Sequence, residues 1–286
     1  MTKTLLSFGH GYSADALARL LLPQGWRIIG TTRSAEKATQ LRAQGVEPII
    51  WPGGSDIAPA LARATHILIS VAPGAEGDPV LNALSEQIAT ATPFEWTAYL
   101  STTGVYGDHQ GGWVDETTAL TPSTRRGQYR VAAEAEWQAL AAKTSLNLHI
   151  FRLAGIYGPG RGPFAKVRNG TARRIVKPGQ VFSRIHVEDI AQVLAASIAN
   201  PDPFSVYNLC DDDPAPPEDV IEYAAKLLGL PVPPAEDWDK AQMTPMARSF
   251  YAESKKVRND KIKTDLGIRL KYPDYRTGLH ALLESD

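Results

Sequence analysis

Residues 5–14 read LLSFGHGYSA, an apolar run that breaks into Gly9, His10, Gly11, Tyr12, Ser13 and Ala14. Two glycines one residue apart, where a strand stops and a helix starts, suit the binding of phosphate. A helix N-terminus offers unpaired backbone N–H groups and partial positive charge, and a residue without Cβ lets an anion approach them. In the spacing Gly-x-Gly-x-x-Ala, Gly9 makes the turn, Gly11 admits a diphosphate and Ala14 keeps the helix close to its strand. His10 acts through its backbone. A tight turn of small residues would look the same in isolation, so the surrounding elements decide between the two readings.

The tip of the second strand, GTTRS, bears on which dinucleotide such a cradle holds. A ribose 2′-hydroxyl is commonly held there by Asp or Glu, whereas a 2′-phosphate calls for a cation and hydroxyls. Arg33 can meet a 2′-phosphate with two donors, with Thr31, Thr32 or Ser34 adding hydrogen bonds, and no carboxylate stands beside it. NADP is therefore expected over NAD. Asp56 either reaches the adenine amino group or caps the helix that follows it. Ser70, Val71 and Ala72, at the end of the fourth strand, complete the expected cofactor-facing set.

The elements that must carry these residues alternate along the chain. KTLLSFG, WRIIGTT, VEPIIW, HILISVA, WTAYLST and NLHIFRL are short and apolar on both faces, and helical spacing separates them. Burial on two sides means a parallel sheet covered by helices, so the fold class is α/β, a Rossmann doubly wound sheet. Helices are expected over 13–22, 34–43 and 219–230, with Asp189 capping or orienting another that begins near Ile190. Residues 1–155 and 180–208 form the expected NAD(P)-binding domain, and 156–179 with 209–286 a small substrate-binding portion.

Composition limits the partners. The chain has 286 residues, 43% hydrophobic, and a net charge of -1 from 30 basic and 31 acidic residues, which argues against nucleic acid or a membrane surface as a general partner. The N-terminus lacks a signal pattern and no apolar run approaches spanning length, so the expected compartment is the cytoplasm. Cys210, the single cysteine, reads as structural beside three aspartates, and the six histidines lack metal-ligand spacing.

GHGYSA, LSTTGVYGD, FRLAGIYGPGR and SRIHVEDIA follow one another as in the extended short-chain dehydrogenase/reductases, the group of nucleotide-sugar epimerases, dehydratases and reductases that this chain resembles nearly end to end. The resemblance implies a nicotinamide held between the Rossmann domain and the substrate portion. It also implies a hydroxyl that polarises the substrate oxygen, matched by Thr102, with Ser101 and Thr103 as alternates. The family's Tyr-x-x-x-Lys pair, in which the ammonium lowers the tyrosine pKa, is altered. Tyr129 is followed four positions on by Ala133, and the register that aligns Glu134 puts Arg126 and Arg130 where tyrosine and lysine are expected. Arginine stays protonated and holds a ribose or an oxyanion rather than shuttling a proton.

Two further features complete the reading. Arg161, Lys166, Arg168, Arg173, Arg174 and Lys177 form a basic stretch, read either as a solvated loop or as a site for substrate phosphate; Arg161, Arg168 and Arg184 are the substrate-binding candidates. His186 is expected to fix its loop by hydrogen bonding. The small-molecule substrate is expected to be anionic or nucleotide-linked, and the segment YRVAAEAEWQALAA, residues 129–142, serves either a homodimer or the chain's own core. Two functions remain open: an NAD(P)-dependent oxidoreductase or epimerase/dehydratase-like enzyme with catalytic candidates Thr102, Tyr129, Arg126 and Arg130, or an NADP-binding redox sensor or scaffold without turnover.

Overall fold

Neighbouring residues of each apolar run take opposite sides of one sheet. Leu5, Ile28, Leu68, Leu100 and Phe151 pack on one face, and Leu6, Ile29, Ile67, Tyr99 and Ile150 on the other, as the two-residue period of a strand requires. Each fully buried Leu, Ile or Phe contributes roughly 1.5–3 kcal/mol of apolar transfer.

The protein is described by a computed structural model covering residues 2–54, 56–91 and 94–285. In chain order its strands are β1 (Thr4–Phe8), β2 (Arg27–Thr32), β3 (Glu47–Ile50), β4 (His66–Ile69), β5 (Trp96–Thr102), β6 (Trp113–Val114), β7 (Leu148–Leu153), β8 (Gly155–Tyr157), β9 (Arg174–Val176), β10 (Arg184–His186), β11 (Val206–Leu209), β12 (Ala235–Asp237) and β13 (Lys256–Val257). The helices are α1 (Tyr12–Leu21), α2 (Ala35–Ala43), α3 (Ala58–Arg63), α4 (Pro79–Thr90), α5 (Arg125–Thr144), α6 (Phe164–Arg168), α7 (Val187–Ala199), α8 (Pro217–Leu227), α9 (Pro245–Phe250), α10 (Asp260–Asp265) and α11 (Tyr275–Ser285).

Seven strands form the main sheet in the order β11-β7-β5-β4-β1-β2-β3, all parallel. α1, α2 and α7 cover one face; α3, α4 and α5 cover the other. The six runs read from the sequence are all strands of this sheet, and β11 is a seventh, four residues long, at the edge beside β7. The order reverses between β1 and β4, and in such sheets the crevice at the carboxyl ends of the strands around the reversal is where ligands bind.

Three two-stranded parallel pieces lie outside the main sheet: β8 with β10, β9 with β12, and β6 with β13. A separate small core joins Tyr157 and Phe164 to Ala224, Tyr275, Leu279 and Leu282. Val257, Ile262, Ile268 and Leu270 instead pack into the main core, so part of the C-terminal segment belongs to the body of the protein. The apolar side of α5, Ala133, Trp137 and Ala141, is buried within the single chain.

α5 lies against the turn after β5. A Cβ on Gly127 would stand 2.7 Å from the Cβ of Pro122 and 2.9 Å from the Gly104 carbonyl oxygen. Alanine in place of a helical glycine ordinarily stabilises by about 1 kcal/mol. Here the overlap reverses the sign, and Gly127→Ala is expected to destabilise by about 1–3 kcal/mol, measured as a lower urea midpoint.

Candidate functional site

At the carboxyl end of β1, Gly9 adopts φ +72°, a conformation that favours glycine. A Cβ on it would also lie 3.2 Å from the Val71 nitrogen, while Ser70 N–H donates to the Phe8 carbonyl at 2.9 Å. Ser70 and Val71 therefore flank the glycine turn. The turn is pinned from the second strand: Gly9 N–H donates to Thr31 Oγ1 at 2.8 Å and His10 N–H to the Thr31 carbonyl at 2.9 Å. His10 thus acts through its backbone; its ring is buried against Gly30, where a Cβ would come within 2.8 Å of it.

Gly11 is the N-cap of α1, and no side chain caps this helix, whereas Ser34, Asp78, Thr124 and His186 cap α2, α4, α5 and α7. The amides of the first turn, at Tyr12, Ser13 and Ala14, have no carbonyl partner within the helix. A Cβ on Gly11 would meet within 4 Å only the Gly9 carbonyl oxygen, at 3.6 Å, so the space before the helix is open. Ala14 is fully buried against the sheet. An open, uncapped helix start beside a positive-φ glycine fits a dinucleotide diphosphate.

At the tip of β2 the expected donors divide. Thr31 is consumed in holding the glycine turn, and Ser34 Oγ accepts Lys37 N–H at 3.2 Å as the cap of α2. Thr32 Oγ1 accepts Ser34 N–H at 3.3 Å, and Arg33 is exposed. Asp56 Oδ1 accepts Ala58 N–H at 2.9 Å, which is the capping alternative.

β5 ends in the candidate catalytic hydroxyl. Thr102 Oγ1 accepts Gly104 N–H at 3.1 Å, so it shapes the turn and still has its own O–H to donate. Ser101, the alternate, is spent: buried, it donates to Glu134 Oε1 at 2.5 Å. Glu134 also pairs with Arg152 of β7, Nη2 to Oε2 at 2.8 Å, both side chains at most 5% exposed. Arg152 Nη1 then donates to Tyr106 Oη at 3.0 Å, and Tyr106 donates to Asn208 Oδ1 of β11 at 2.7 Å. A buried carboxylate and guanidinium require such complete pairing. This network escaped the sequence reading, although its signal was present: Arg152 interrupts a strand otherwise buried on both sides, and a charge there demands a partner.

The two arginines expected at the tyrosine and lysine positions point different ways. Arg130 Nη1 donates to the Leu100 carbonyl at 2.6 Å and to Tyr99 Oη at 3.2 Å, turning back toward β5. Arg126, exposed on the first turn of α5, donates to Ser249 Oγ at 3.1 Å and lies over the Phe250 ring, 4.7 Å from its centroid, so α9 reaches over the start of α5. Tyr129 is half-buried on the same turn.

The substrate-side arginines do not converge. Arg161 lies over the Tyr12 ring and Arg168 over the Phe164 ring, while Arg184 Nη1 donates to the Phe182 and Ala215 carbonyls. Half of the basic stretch is committed internally: Arg173 pairs with Glu236, Arg174 with Glu222, and Lys177 donates to the Tyr251 carbonyl. Cys210 is buried and donates to the Val257 carbonyl at 3.1 Å, and burial pushes its thiol up.

The expected role of Asp189 is corrected. α7 begins at Val187 with His186 as its cap, Nδ1 accepting Glu188 N–H at 3.2 Å. Asp189 instead accepts Lys271 N–H at 2.7 Å and Tyr272 N–H at 3.0 Å. It lies inside the first turn of the helix, facing inward, and serves the incoming C-terminal segment.

The family model described as "NAD dependent epimerase/dehydratase family" matches residues 80–210. Protein YeeZ of Escherichia coli K12 is 30% identical over 289 residues, spanning 95% of this chain and 97% of its own. Among solved structures, a functionally unknown conserved protein from Silicibacter pomeroyi is 64% identical, with 99% of each chain covered and a TM-score of 0.93. UDP-glucuronic acid 4-epimerase from Bacillus cereus, solved with UDP-glucuronic acid and NAD, shares the fold at 16% identity, a TM-score of 0.81 and 98% coverage of each chain. The doubly wound sheet is a Rossmann fold, and the chain belongs to the NAD-dependent epimerase/dehydratase family. No described helix is long and apolar enough to cross a membrane.

Burial holds the rings of His10, His66, His149 and His186 at a pKa of about 4, below the ordinary value of 6.5. As pH falls below about 6.5 the unfolded chain takes up protons that the folded protein refuses, so stability is present above that pH and is lost down to about pH 4. Each ring contributes at most about 1.4 kcal/mol per pH unit. Thermal midpoints recorded from pH 7 to pH 4 are expected to fall, and His149→Gln to flatten the fall by about a quarter.

Proposed function

We propose that the protein is an NADP-dependent enzyme that acts on a carbonyl or hydroxyl of a small anionic or nucleotide-linked molecule, with a proton path different from the family's usual one. The observation that carries this reading is the open, uncapped start of α1 at the carboxyl end of β1, with Thr102 at the end of β5 in the same sheet. In this reading the dinucleotide diphosphate rests on the amides of Tyr12, Ser13 and Ala14, with Gly9 and Gly11 giving access, and Ser70, Val71 and Ala72 line its path. Arg33 and Thr32 face the 2′-phosphate, and Asp56 stands beside the adenine. When bound, the nicotinamide supplies hydride exchange.

The chain's own work is polarisation and proton handling. Thr102 donates its O–H to the substrate oxygen while its Oγ1 stays fixed by Gly104 N–H. Arg126 offers a fixed positive charge to an anionic substrate or a developing oxyanion. Arg130, bound to Leu100 and Tyr99, holds the floor of the site. Tyr129 or a substrate-bound water moves the proton, since neither arginine releases one at neutral pH. Arg168 and Arg184 serve the substrate side. The NAD in the Bacillus cereus epimerase supports a nicotinamide dinucleotide, and the absence of a carboxylate beside Arg33 favours the phosphorylated form.

The occupation of both the tyrosine and the lysine positions by arginine also supports a second reading, a redox sensor that binds NADP without turnover. Thr102→Ala distinguishes them: the enzyme loses turnover by 10²-fold or so while keeping cofactor affinity, and Thr102→Ser restores it. The sensor gives no substrate-dependent change in reduced-nicotinamide absorbance with either form. Arg33→Ala is expected to weaken NADP binding by about tenfold or more, the loss of a charged hydrogen bond, and to leave NAD unchanged by calorimetry. Equal losses for the two cofactors would refute the 2′-phosphate role.

A further inference from the structure

The Gly-Pro-Gly-Arg segment, residues 158–161, is built as a rigid turn and seated on the first residue of α1. Gly158 N–H donates to the Arg161 carbonyl at 3.0 Å and Arg161 N–H to the Gly158 carbonyl at 2.9 Å. Between them stand Pro159 and Gly160, the latter at φ +69°, the combination a type II turn uses. Tyr12 Oη donates to the Pro159 carbonyl at 2.9 Å, across 147 positions of sequence. The turn fits this closely because residue 158 has no side chain: a Cβ there would lie 2.5 Å from Tyr12 Oη and 2.8 Å from Val187 Cγ1.

This seating carries the Arg161 guanidinium over the Tyr12 ring, 5.7 Å from its centroid. The side chain is exposed, and among the described residues no carboxylate pairs with it. The carboxylates whose charge reaches this corner have other partners: Asp15 is paired with Arg19, and Glu188 with Lys271 at 2.6 Å. A cation without a counter-ion next to an uncapped helix N-terminus is electrostatically unfavourable unless an anion joins both. Three features of the chain, namely Gly158, the Pro159–Gly160 turn and the Tyr12 hydroxyl, nevertheless hold it there.

We propose that Arg161 binds the diphosphate bridge of the cofactor, opposite the α1 amides, rather than a phosphate of the substrate. The inference rests on the cofactor reading above and adds to it a clamp contributed by the substrate-side loop. The diphosphate is common to both nicotinamide dinucleotides, so Arg161, unlike Arg33, acts on them alike. Tyr12 is the positioning residue that sets the clamp's distance from the helix.

Calorimetric titration of NAD and NADP into the unaltered protein, Arg161→Ala and Arg161→Lys tests the proposal. Arg161→Ala is expected to weaken both dinucleotides by the same factor, about tenfold or more, as loss of a charge-assisted contact does. Arg161→Lys is expected to recover part of the loss, and the thermal midpoint without ligand to stay within a degree or so because the side chain has no ion pair to lose. Unchanged affinity for both dinucleotides in Arg161→Ala, with binding intact in the unaltered protein, overturns this proposal alone. A loss confined to NADP overturns it too, by moving the arginine to the 2′-phosphate. No binding of either dinucleotide to the unaltered protein removes the cofactor reading and this inference together.

Discussion

The buried pair of Glu134 and Arg152 organises the carboxyl end of the sheet. One carboxylate on α5 fastens the end of β5 through Ser101 and the end of β7 through Arg152, and the same arginine passes the connection through Tyr106 to Asn208 on β11. Helix, turn and three strands are thereby held in one register. A pair so dry contributes little net energy against a well-packed apolar alternative, but losing one partner leaves the other charged and stranded. The geometry it fixes is that of the turn carrying Thr102 and of the helix face carrying Arg126 and Arg130.

That arrangement leaves the side chains of the first turn of α5 free of the packing that fixes the rest of the helix. The middle of α5 is committed by Glu134 and Trp137, and Gly127 lets its first turn approach the Gly104 carbonyl closely. Arg126 is exposed and Arg130 half-buried on the same helix. Arg130 ties the helix to β5 through the Leu100 carbonyl and Tyr99, whereas Arg126 ties it to α9.

Much of the fold was legible because two-sided burial forces continuous apolar strands, and glycine or proline punctuates the helices between them. β11 escaped because it is four residues long and follows a proline-rich connection. The pieces β6, β8, β9, β12 and β13 escaped because strands of two or three residues carry no usable period, and their partners are distant in sequence. In the site, the glycine cradle was legible because it is local: turn, helix start and amides lie within six residues. Which of Thr31, Thr32 and Ser34 is free to donate was not legible, since only the three-dimensional neighbourhood reveals Gly9 as the partner of Thr31. Arg130 turning toward Leu100 and Arg173 reaching Glu236 were invisible for the same reason: side-chain direction is decided by long-range contacts that spacing along the chain does not encode.

Asp189 anchors the C-terminal segment on α7 from within, gripping the successive amides of Lys271 and Tyr272. With Val257, Ile262 and Leu270 sunk in the main core, this seam is stationary relative to the sheet. The cluster of α6, α8 and α11 lies beyond it with a core of its own.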